Sequence, residues 1–230
     1  MAKKAPIIIS LGGSLIAPKT GGIDVTFLKR FKSIIVKRIA KGDRFVIICG
    51  GGMTARQYQK AAFDAGDLSR EDVDWIGIHA TRLNAHLLRT VFRRVAHATV
   101  VKNPHAPPRF AEPLLIAAGW KPGWSTDYCA TLLASSLGAK TVINLSDISH
   151  VYTADPRKDP KAKPLECIGW KDFRKLVGNK WDPGLNAPFD PVASKLGEQL
   201  ALTVKMVGGH SYKDIERAIT DKQFKGTVIG

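Results

Sequence analysis

Two short apolar runs that each end in a cluster of glycines constrain the fold of this chain more than any other feature. Ile7–Leu11 stops at Gly12-Gly13-Ser14, and Phe45–Cys49 stops at Gly50-Gly51-Gly52. Continuous apolar runs of this length are typical of parallel strands that are buried on both faces. Between them, residues 25–39 carry apolar side chains three and four positions apart, the spacing of a helix that covers one face of a sheet. The sequence therefore predicts a β-α-β unit.

The same alternation of strand and helix continues along the chain. Further apolar runs predict strands at residues 99–101, 113–116, 141–145 and 203–207. From residue 146 to about 191 the sequence is rich in Pro, Lys and Asp, which predicts a long, turn-rich excursion. Loops of that length in a compact domain are usually functional or mobile, so we expect ligand contacts there rather than a domain boundary. The predicted fold class is α/β, with one core and two lobes around a cleft.

The balance of charges narrows the range of partners. The 230 residues include 35 Lys and Arg against 20 Asp and Glu, a formal net charge of +15, which favours an anionic partner. The basic residues are dispersed, aromatic residues make up only 8%, and no RNA-binding aromatic signature is present. A nucleic-acid partner therefore has no motif behind it, whereas a small phosphorylated molecule fits the charge. A solvated basic surface that only keeps the protein soluble is an equal alternative.

The sequence shows no signal for a membrane or for secretion. No apolar run approaches the roughly 18 residues that cross a bilayer, and the basic start leads only into the short run that begins at Ile7. Cys49, Cys129 and Cys167 are too few and too irregularly spaced for a disulfide scaffold or a CxxC metal site. We expect a reducing, cytoplasmic compartment and no contact with a membrane.

The glycine clusters carry the first chemical signal. Glycine lets backbone N–H groups approach an anion, and the N-terminus of a following helix adds positive potential. Neither cluster has GxGxxG or GxxxxGK[ST] spacing. For either cluster alone, a tight strand-to-helix turn is an equally good explanation. Arg56, one turn into the next helix, could reach a phosphate at that helix start or could form a surface salt bridge.

The segment from Asp74 to Val91 has the periodicity of a helix with two distinct faces. An apolar stripe consists of Ile76, Ala80, Leu83, Leu87 and Val91. Another side presents short hydrogen-bonding groups and a glycine, at Asp74, Gly77, Thr81 and Asn84. A solvated polar face is the usual explanation for such a row, but solvated faces favour long Lys and Glu side chains. The composition of this row indicates a functional surface.

Two later turns place a charged side chain at the start of a helix. In Ser125-Thr126-Asp127, Ser125 or Thr126 could be the N-cap of a helix over residues 128–137. Asp127 could instead serve a site, by orienting a lysine or a metal–phosphate complex. Lys195 lies in the first turn of a helix after Asp190-Pro191, where the helix dipole disfavours a cation unless an anion binds nearby. A solvated surface lysine is the alternative.

Taken together, these pieces resemble the amino acid kinase superfamily, and within it the archaeal-type uridylate (UMP) kinases. The resemblance spans nearly the whole chain and rests on six motifs in the family's order. The motifs are Leu11-Gly12-Gly13-Ser14, Gly50-Gly51-Gly52-x-Thr54-Ala55-Arg56, Ile76-Gly77-Ile78-x-x-Thr81-Arg82-x-Asn84-Ala85, Pro122-Gly123-x-Ser125-Thr126-Asp127, Val151-Tyr152-Thr153-Ala154-Asp155-Pro156-Arg157-Lys158-Asp159-Pro160 and Asp190-Pro191-x-Ala193-x-Lys195. Six motifs in order are far more specific than any one of them.

The resemblance implies a three-layer αβα sandwich around a mostly parallel sheet. It implies a single domain over residues 1–230, with an acceptor-binding lobe at about 1–138 and an ATP-binding lobe at about 139–230. The implied reaction transfers the γ-phosphoryl group of ATP, with Mg²⁺, to UMP and gives UDP and ADP. Members of the superfamily usually assemble, so the resemblance also implies a homo-oligomer, either a dimer or a hexamer.

Each matched position takes a role from the resemblance. The catalytic pair is Lys195, which helps to neutralise the transferring phosphoryl group, and Asp127, which organises that centre. The acceptor-binding residues are Gly51, Gly52 and Arg56 at the phosphate, Asp74 and Gly77 on the ribose side, and Ser125 and Thr126 on the base side. The ATP-binding residues are Gly12 and Gly13 at the phosphates, with Asp147, Tyr152 and Asp155 towards the adenosine half. No side chain is predicted as a direct metal ligand.

The chain departs from the family pattern at three places. Ser10 stands where many superfamily members have a lysine, although archaeal-type uridylate kinases commonly lack it too. Ser149-His150 stands where the family usually has Asp-Gly, and a histidine there would cost energy if the turn needed a positive φ. Trp120, Lys121 and Trp124 replace smaller or different residues around the acceptor base.

These departures leave two alternatives to a uridylate kinase. One is a kinase of the same fold that acts on another small phosphate or carboxylate, such as isopentenyl phosphate. The other is a nucleotide-binding or storage protein without turnover, for which Ser149-His150 is the best argument. Retention of Lys195, Asp127 and both glycine clusters favours catalysis, because a protein that only binds need not keep the groups that transfer a phosphoryl group.

Overall fold

The computed structural model describes residues 5–180 and 187–230. The strands are β1 (Ile7–Leu11), β2 (Phe45–Cys49), β3 (Leu114–Ala117), β4 (Thr141–Ser146), β5 (Val151–Tyr152), β6 (Pro164–Leu165), β7 (Cys167–Ile168), β8 (Thr203–Gly208) and β9 (Gly226–Ile229). The helices are α1 (Gly13–Ile16), α2 (Val25–Ile39), α3 (Gly52–Ala65), α4 (Arg70–Val91), α5 (Thr126–Ser136), α6 (Trp170–Val177), α7 (Pro191–Gln199) and α8 (Tyr212–Ile219).

A seven-stranded sheet in the order β3-β2-β1-β4-β8-β9-β7 forms the centre of the molecule. The pairs from β3 to β8 are all parallel, and β8 and β9 are antiparallel. Leu11 at the end of β1 pairs with Cys49 on β2 and Leu145 on β4. The carboxyl ends of these three strands therefore meet at one edge of the sheet, and the segments that follow them are neighbours. This mostly parallel sheet confirms the predicted α/β class.

Helices cover both faces of the sheet. Alternate side chains of a strand point to opposite faces, so Ile9 lies in one hydrophobic cluster and Ile8 in the other. The first cluster includes buried residues of α2, α8 and the C-terminal part of α4. The second includes buried residues of α5, α6 and α7. This arrangement is the three-layer αβα sandwich that the resemblance implies.

The best-predicted helix is α2, whose bounds match the prediction. Asp24 is its N-cap and accepts a hydrogen bond from the Phe27 N–H (2.8 Å). Phe27, Phe31 and Ile35, spaced by four, are fully buried. Cap and spacing are both local features, which is why the sequence alone located this helix.

The strand predicted at residues 99–101 is wrong. Only isolated bridges form there, from Ala96 to Leu114 and from Val101 to Ala117. The chain touches the edge strand β3 at these two points and bends away between them, so no continuous ladder forms. The neighbouring prediction at 113–116 is shifted by one residue, because β3 begins at Leu114.

The apolar stripe of the long helix does not form its buried face. Leu83 is 62% exposed, and of the predicted stripe only Ala80 is buried. The buried side chains of α4 include Val73, Asp74, Ile78, Thr81, Asn84, Ala85 and Leu88. The polar row therefore faces the interior, beside a second set of apolar residues. Periodicity located the helix and not the side that it buries.

The excursion from residue 146 to about 191 contains more regular structure than predicted. The antiparallel pair β5–β6 and the short strand β7, which pairs with β9, lie within it. Helix α6 follows, and its Trp170 and Phe173 are buried in the core. The Asp182-Pro183 turn lies outside the described residues. Across 5–180 and 187–230, no helix is both long and apolar enough to span a membrane.

Candidate active site

The two glycine clusters lie against each other at the edge where β1 and β2 end. A Cβ atom on Gly13 would overlap the backbone of Gly50 and Gly52. Gly52 has φ +62°, a left-handed conformation that side chains disfavour. The structure thus brings the predicted ATP loop, Gly12 and Gly13, into direct contact with the predicted acceptor loop, Gly51 and Gly52. Glycine is required at Gly13 and Gly52 by this backbone-to-backbone packing, whatever else the loops bind.

The start of α3 is suited to hold an anion. Its N-cap is Gly51, and no side chain caps the first turn, although the Met53 N–H donates to the Ala17 carbonyl oxygen (2.9 Å). N–H groups at a helix start, with the positive end of the dipole, are a common site for a phosphate. Arg56 lies one turn further along α3 and is exposed. The predicted acceptor-phosphate residues therefore share one helix start.

The polar row of α4 fixes the loops rather than facing solvent. The Asn84 Nδ2 donates to the carbonyl oxygens of Gly50 (2.8 Å) and Gly51 (3.1 Å). The Thr81 hydroxyl accepts from the Gly119 N–H (2.8 Å) and donates to the Ile78 carbonyl oxygen (2.6 Å). Two loops that the sequence separates widely are thereby held by one helix. This explains why short polar groups occupy the buried side.

Asp74 joins this helix to the turn before α5. Its Oδ2 accepts from the Gly123 N–H (2.7 Å), and burial raises the pKa of its carboxyl, although that hydrogen bond and Arg70 oppose the rise. An open cavity of about 380 Å³ lies here, lined by Arg70, Glu71, Asp74, Pro122, Gly123 and Val192. We refer to it as the acceptor cavity.

Other predicted acceptor residues have clear structural positions. Gly77 lies at the contact of α3 and α4, where a Cβ atom would come within 2.9 Å of the Gln59 Nε2. Ser125 is the N-cap of α5, accepting from the Tyr128 N–H (3.0 Å), and Thr126 is the first residue of that helix. The structure confirms Ser125 as the N-cap of this helix, and the acceptor roles of Gly77, Ser125 and Thr126 stay predictions.

An aromatic group stands beside the same turn. Trp124 stacks on Tyr128 with ring centroids 4.2 Å apart, and Trp120 lies 6.1 Å from Trp124. The ammonium group of Lys121 is 4.3 Å from the centroid of the Trp120 ring. Trp120 also packs edge-on against His105, with ring centroids 4.8 Å apart, so Trp120, Lys121 and Trp124 form one group with His105 and Tyr128.

The carboxyl group of Asp127 is the most perturbed acidic group of the site. Its Oδ1 accepts from the Ser10 hydroxyl (2.8 Å) and the Asn144 amide (3.0 Å), and its Oδ2 from the Asp190 N–H (3.3 Å). The residue keeps some exposed surface, but its carboxyl is enclosed, and burial raises its pKa to about 7. The negative charge of Asp190 raises it further, while the Ser10 hydrogen bond opposes the rise.

Sequence reasoning missed Ser10 and Asn144 as members of the site. Each is a polar residue inside an otherwise apolar run, Ser10 near the end of β1 and Asn144 in β4. Both are buried. A polar residue in a strand that is buried on both faces needs a hydrogen-bond partner, and this signal could have marked them.

Lys195 lies on a helix that is anchored to Asp127. Asp190 is the N-cap of α7 and accepts from the Ala193 N–H, while its own N–H donates to Asp127. Ser125 hydrogen-bonds the Asp190 carboxylate, and burial raises the pKa of that group. The second oxygen of Asp190, Oδ2, is buried and has no hydrogen-bond partner among the described residues. Lys195 itself is exposed, one turn further along α7.

The predicted adenosine residues lie beyond β4. Asp147 directly follows that strand and accepts from the Ser146 hydroxyl (3.1 Å). Tyr152 is on β5. Asp155 accepts from the backbone and guanidinium of Arg157, which lowers the pKa of its carboxyl to about 2. Within the described residues, no hydrogen bond joins Tyr152 or Asp155 to a glycine loop.

The substitution at Ser149-His150 carries no backbone strain. Among the described residues, only Ala201 and Asp221 are non-glycine residues with positive φ, so the turn at His150 does not need glycine. The His150 Nδ1 is 2.9 Å from the Ser149 hydroxyl. Burial, and then the charge of Lys225, lowers the pKa of the His150 side chain, although Glu166 and Asp214 oppose this. His150 is thus a buried turn residue and favours its neutral form.

The site combines two glycine loops, in contact at the edge of a parallel sheet, with a lysine on a helix that is anchored to a buried aspartate. These features define a class of phosphate-handling α/β proteins. The model of the amino acid kinase family matches residues 5–102 and 116–206. The chain belongs to the amino acid kinase family.

Several relatives that match over nearly the full length are uridylate kinases. The uridylate kinase of Hyperthermus butylicus is 30% identical over 236 residues, covering 99% of each chain. That of Methanospirillum hungatei is 34% identical over 228 residues, covering 97% of this chain and 94% of the relative. The crystal structure of uridylate kinase from Archaeoglobus fulgidus superposes with a TM-score of 0.80 at 28% identity, covering 98% of this chain and 100% of that one.

Proposed function

We propose that this protein transfers the γ-phosphoryl group of ATP to UMP and forms UDP and ADP. The observation that carries the proposal is the contact between two glycine loops, with Asp127 and the helix of Lys195 beside them. Two phosphate-binding loops in contact would bring a donor and an acceptor phosphate close together. The full-length similarity to uridylate kinases supports UMP as the acceptor.

The acceptor would occupy the N-terminal lobe, residues 1–138. Gly51, Gly52 and Arg56 would hold its phosphate at the uncapped start of α3. The acceptor cavity would take the nucleoside, with Asp74 and Gly77 on the ribose side and Ser125 and Thr126 on the base side. Asp74 suits a ribose because a carboxylate accepts hydrogen bonds from hydroxyl groups.

The adenosine half of the donor would lie in the C-terminal lobe, residues 139–230, towards Asp147, Tyr152 and Asp155. Its phosphates would reach Gly12 and Gly13 of the N-terminal lobe. Lys195 would neutralise charge on the equatorial oxygens of the transferring group. Phosphoryl transfer depends mainly on in-line positioning and such neutralisation. An acceptor phosphate that is ionised near neutral pH needs no general base.

Asp127 would act by holding this centre together. It bonds Ser10 on β1, Asn144 on β4 and the start of α7 through Asp190. These bonds fix the helix of Lys195 relative to the first glycine loop. This positioning of Lys195 matters because small misplacements of reacting groups slow phosphoryl transfer strongly.

The positions of the acidic, histidine and cysteine side chains bear on how Mg²⁺ would be bound. Within residues 5–180 and 187–230, no group of three or more His, Cys, Asp or Glu side chains converges on one point. We propose that Mg²⁺ arrives on the phosphates of ATP, as it usually does in kinases. Bound there, Mg²⁺ would supply positive charge between the phosphate oxygens.

Two further expectations stay predictions. A homo-oligomer, dimer or hexamer, is expected from the resemblance, and sedimentation of the purified protein would measure it. A cytoplasmic location is expected from the sequence, and three free cysteines are compatible with a reducing compartment.

Release of ADP from MgATP, measured with UMP, CMP, AMP, GMP and isopentenyl phosphate, tests the proposed function. Turnover with UMP well above the other four is expected. Preference for isopentenyl phosphate would point to another acceptor class. Silence with all five, while ATP still raises the melting temperature through binding to the folded state, would instead identify a nucleotide-binding protein without turnover.

A further inference from the structure

A second cavity lies between α6 and α7, and Val192 lines both this cavity and the acceptor cavity. Its volume is about 380 Å³, and it is lined by Arg174, Asn179, Pro191, Val192 and Lys195. We refer to it as the α6–α7 cavity. Apart from Val192, it shares no lining residue with the acceptor cavity. The two cavities are therefore neighbours at Val192, in the first turn of α7.

The α6–α7 cavity is positively charged. It is lined by two cations, Arg174 and Lys195, and by the first turn of a nine-residue helix, whose dipole adds positive potential. One carboxylate, Glu198, compensates Arg174, with 2.5 Å between Oε2 and Nη1. Lys195 has no hydrogen bond or ion pair among the described residues. Within residues 5–180 and 187–230, its positive charge therefore has no counter-ion.

Hydrogen bonds hold the Arg174 guanidinium group in place but do not use all of its N–H donors. Its Nη2 donates to Asn179 (3.3 Å) and its Nη1 to Glu198. Its Nε is buried and has no hydrogen-bond partner in the described parts of the chain. A guanidinium group offers five N–H donors in a planar fork that suits phosphate oxygens. A pre-positioned guanidinium beside a free lysine is an arrangement that binds a phosphate.

We propose that the α6–α7 cavity binds a phosphate group of the donor nucleotide, with Arg174 as a second cation beside Lys195. The choice of a donor nucleotide rests on the proposed function. Lys195, which would serve the transferring group of the donor, lines this cavity, and every lining residue belongs to the predicted ATP-binding lobe, residues 139–230. Lys195 serves the transferring group, and Arg174 holds a phosphate that stays with the donor.

A purely structural role for Arg174 makes different predictions. Arg174 could brace α6 against α7 through Glu198. If so, removing either partner would weaken the site equally. If Arg174 binds phosphate, removing Glu198 leaves the cation in the cavity and takes away its competing carboxylate, so affinity for the anion is kept or improved.

The test compares three variants by calorimetric binding of MgATP and of adenosine. Arg174→Gln should weaken MgATP about tenfold to hundredfold, the range for a lost charge-assisted hydrogen bond, and leave adenosine unchanged. Glu198→Gln should bind MgATP at least as well as the unmodified protein. Lys175→Gln is the matched control, because Lys175 is adjacent on α6, is 67% exposed and pairs with Asp172. It should change neither affinity.

Three results would overturn the proposal. They are unchanged MgATP affinity in Arg174→Gln, an equal loss in Glu198→Gln, and a rise in the KM for UMP instead of a loss of MgATP binding. If Arg174→Gln fails to fold, Arg174→Lys is used, which keeps the charge and loses the fork. It should weaken MgATP several-fold, and unchanged affinity would count against the proposal. Because binding is measured without turnover, loss of the proposed kinase activity would not be confused with loss of this site.

Discussion

Replacement of Asp127 by asparagine should stabilise the protein at alkaline pH while it abolishes activity. The carboxyl of Asp127 is enclosed, and burial raises its pKa from 3.8 to about 7. The folded-state pKa is above the unfolded-state value. The stability that the protonated carboxyl contributes is therefore complete below about pH 4 and is lost as the pH rises through about 7. Asparagine has no charge to bury at any pH.

The magnitude follows from the pKa and the hydrogen bonds. At about 1.36 kcal/mol for each pKa unit, ionised Asp127 destabilises the folded state by about 4 kcal/mol. Asparagine keeps an oxygen for Ser10 and Asn144 but loses the acceptor of the Asp190 N–H, a bond worth about 1 kcal/mol. We expect a net gain of about 3 kcal/mol at about pH 8.5 and none at about pH 4.5.

Urea unfolding at the two pH values, with equal m-values, measures this gain. Asp67→Asn is the control, because Asp67 is an exposed aspartate next to α4; its stability should follow that of the unmodified protein at both pH values. A gain for Asp127→Asn that is the same at both pH values, or a loss at alkaline pH, would refute the reasoning. Either result would mean that Asp127 is ionised in the folded state at little cost.

Three further substitutions test the site and the loops. Lys195→Ala should lower kcat by about 10² to 10³, the range for a lost group that stabilises the transition state, with little change in the KM for UMP. Steady-state rates over a range of UMP concentrations measure both constants. Full activity of this variant would show that Lys195 is not a catalytic residue. Arg56→Ala should chiefly raise the KM for UMP, because Arg56 would hold a ground-state phosphate, and a fall in kcat alone would contradict that role. Gly13→Ala should lower the free energy of unfolding by about 3 kcal/mol, since its Cβ would overlap two backbones, whereas Gly66→Ala, with nothing within 4 Å of the added atom, should leave urea unfolding unchanged.

The part of the fold that the sequence predicted depends on neighbours along the chain. The strands β1 and β2 and the helix α2 have the predicted bounds because apolar periodicity and the Asp24 cap act within a few residues. The glycine loops were located for the same reason. The contact between Gly13 and Gly52 was beyond this reasoning, since it depends on the parallel pairing of β1 and β2.

Helix α4 shows where local sequence patterns fail to predict which side of a helix is buried. It has two apolar sets and a polar row, and hydrophobicity alone favoured the set that includes Leu83. Packing against the sheet and the glycine loops instead buries the polar row and the second apolar set. Asn84 is buried because the carbonyl oxygens of Gly50 and Gly51 need its amide, and those oxygens belong to another segment of the chain.

The sequence by itself determined the α/β class, the glycine loops, the order of motifs and the residue types of the site. Only the tertiary structure decided what surrounds Asp127. Its hydroxyl partner, Ser10, lies 117 residues away in sequence, and Asp190 approaches from the other side. The pKa of Asp127 is set by burial, a property of the whole assembly of strands and helices. For the same reason, the sequence could not show that Arg174 and Lys195 line one cavity, because this depends on the packing of α6 against α7.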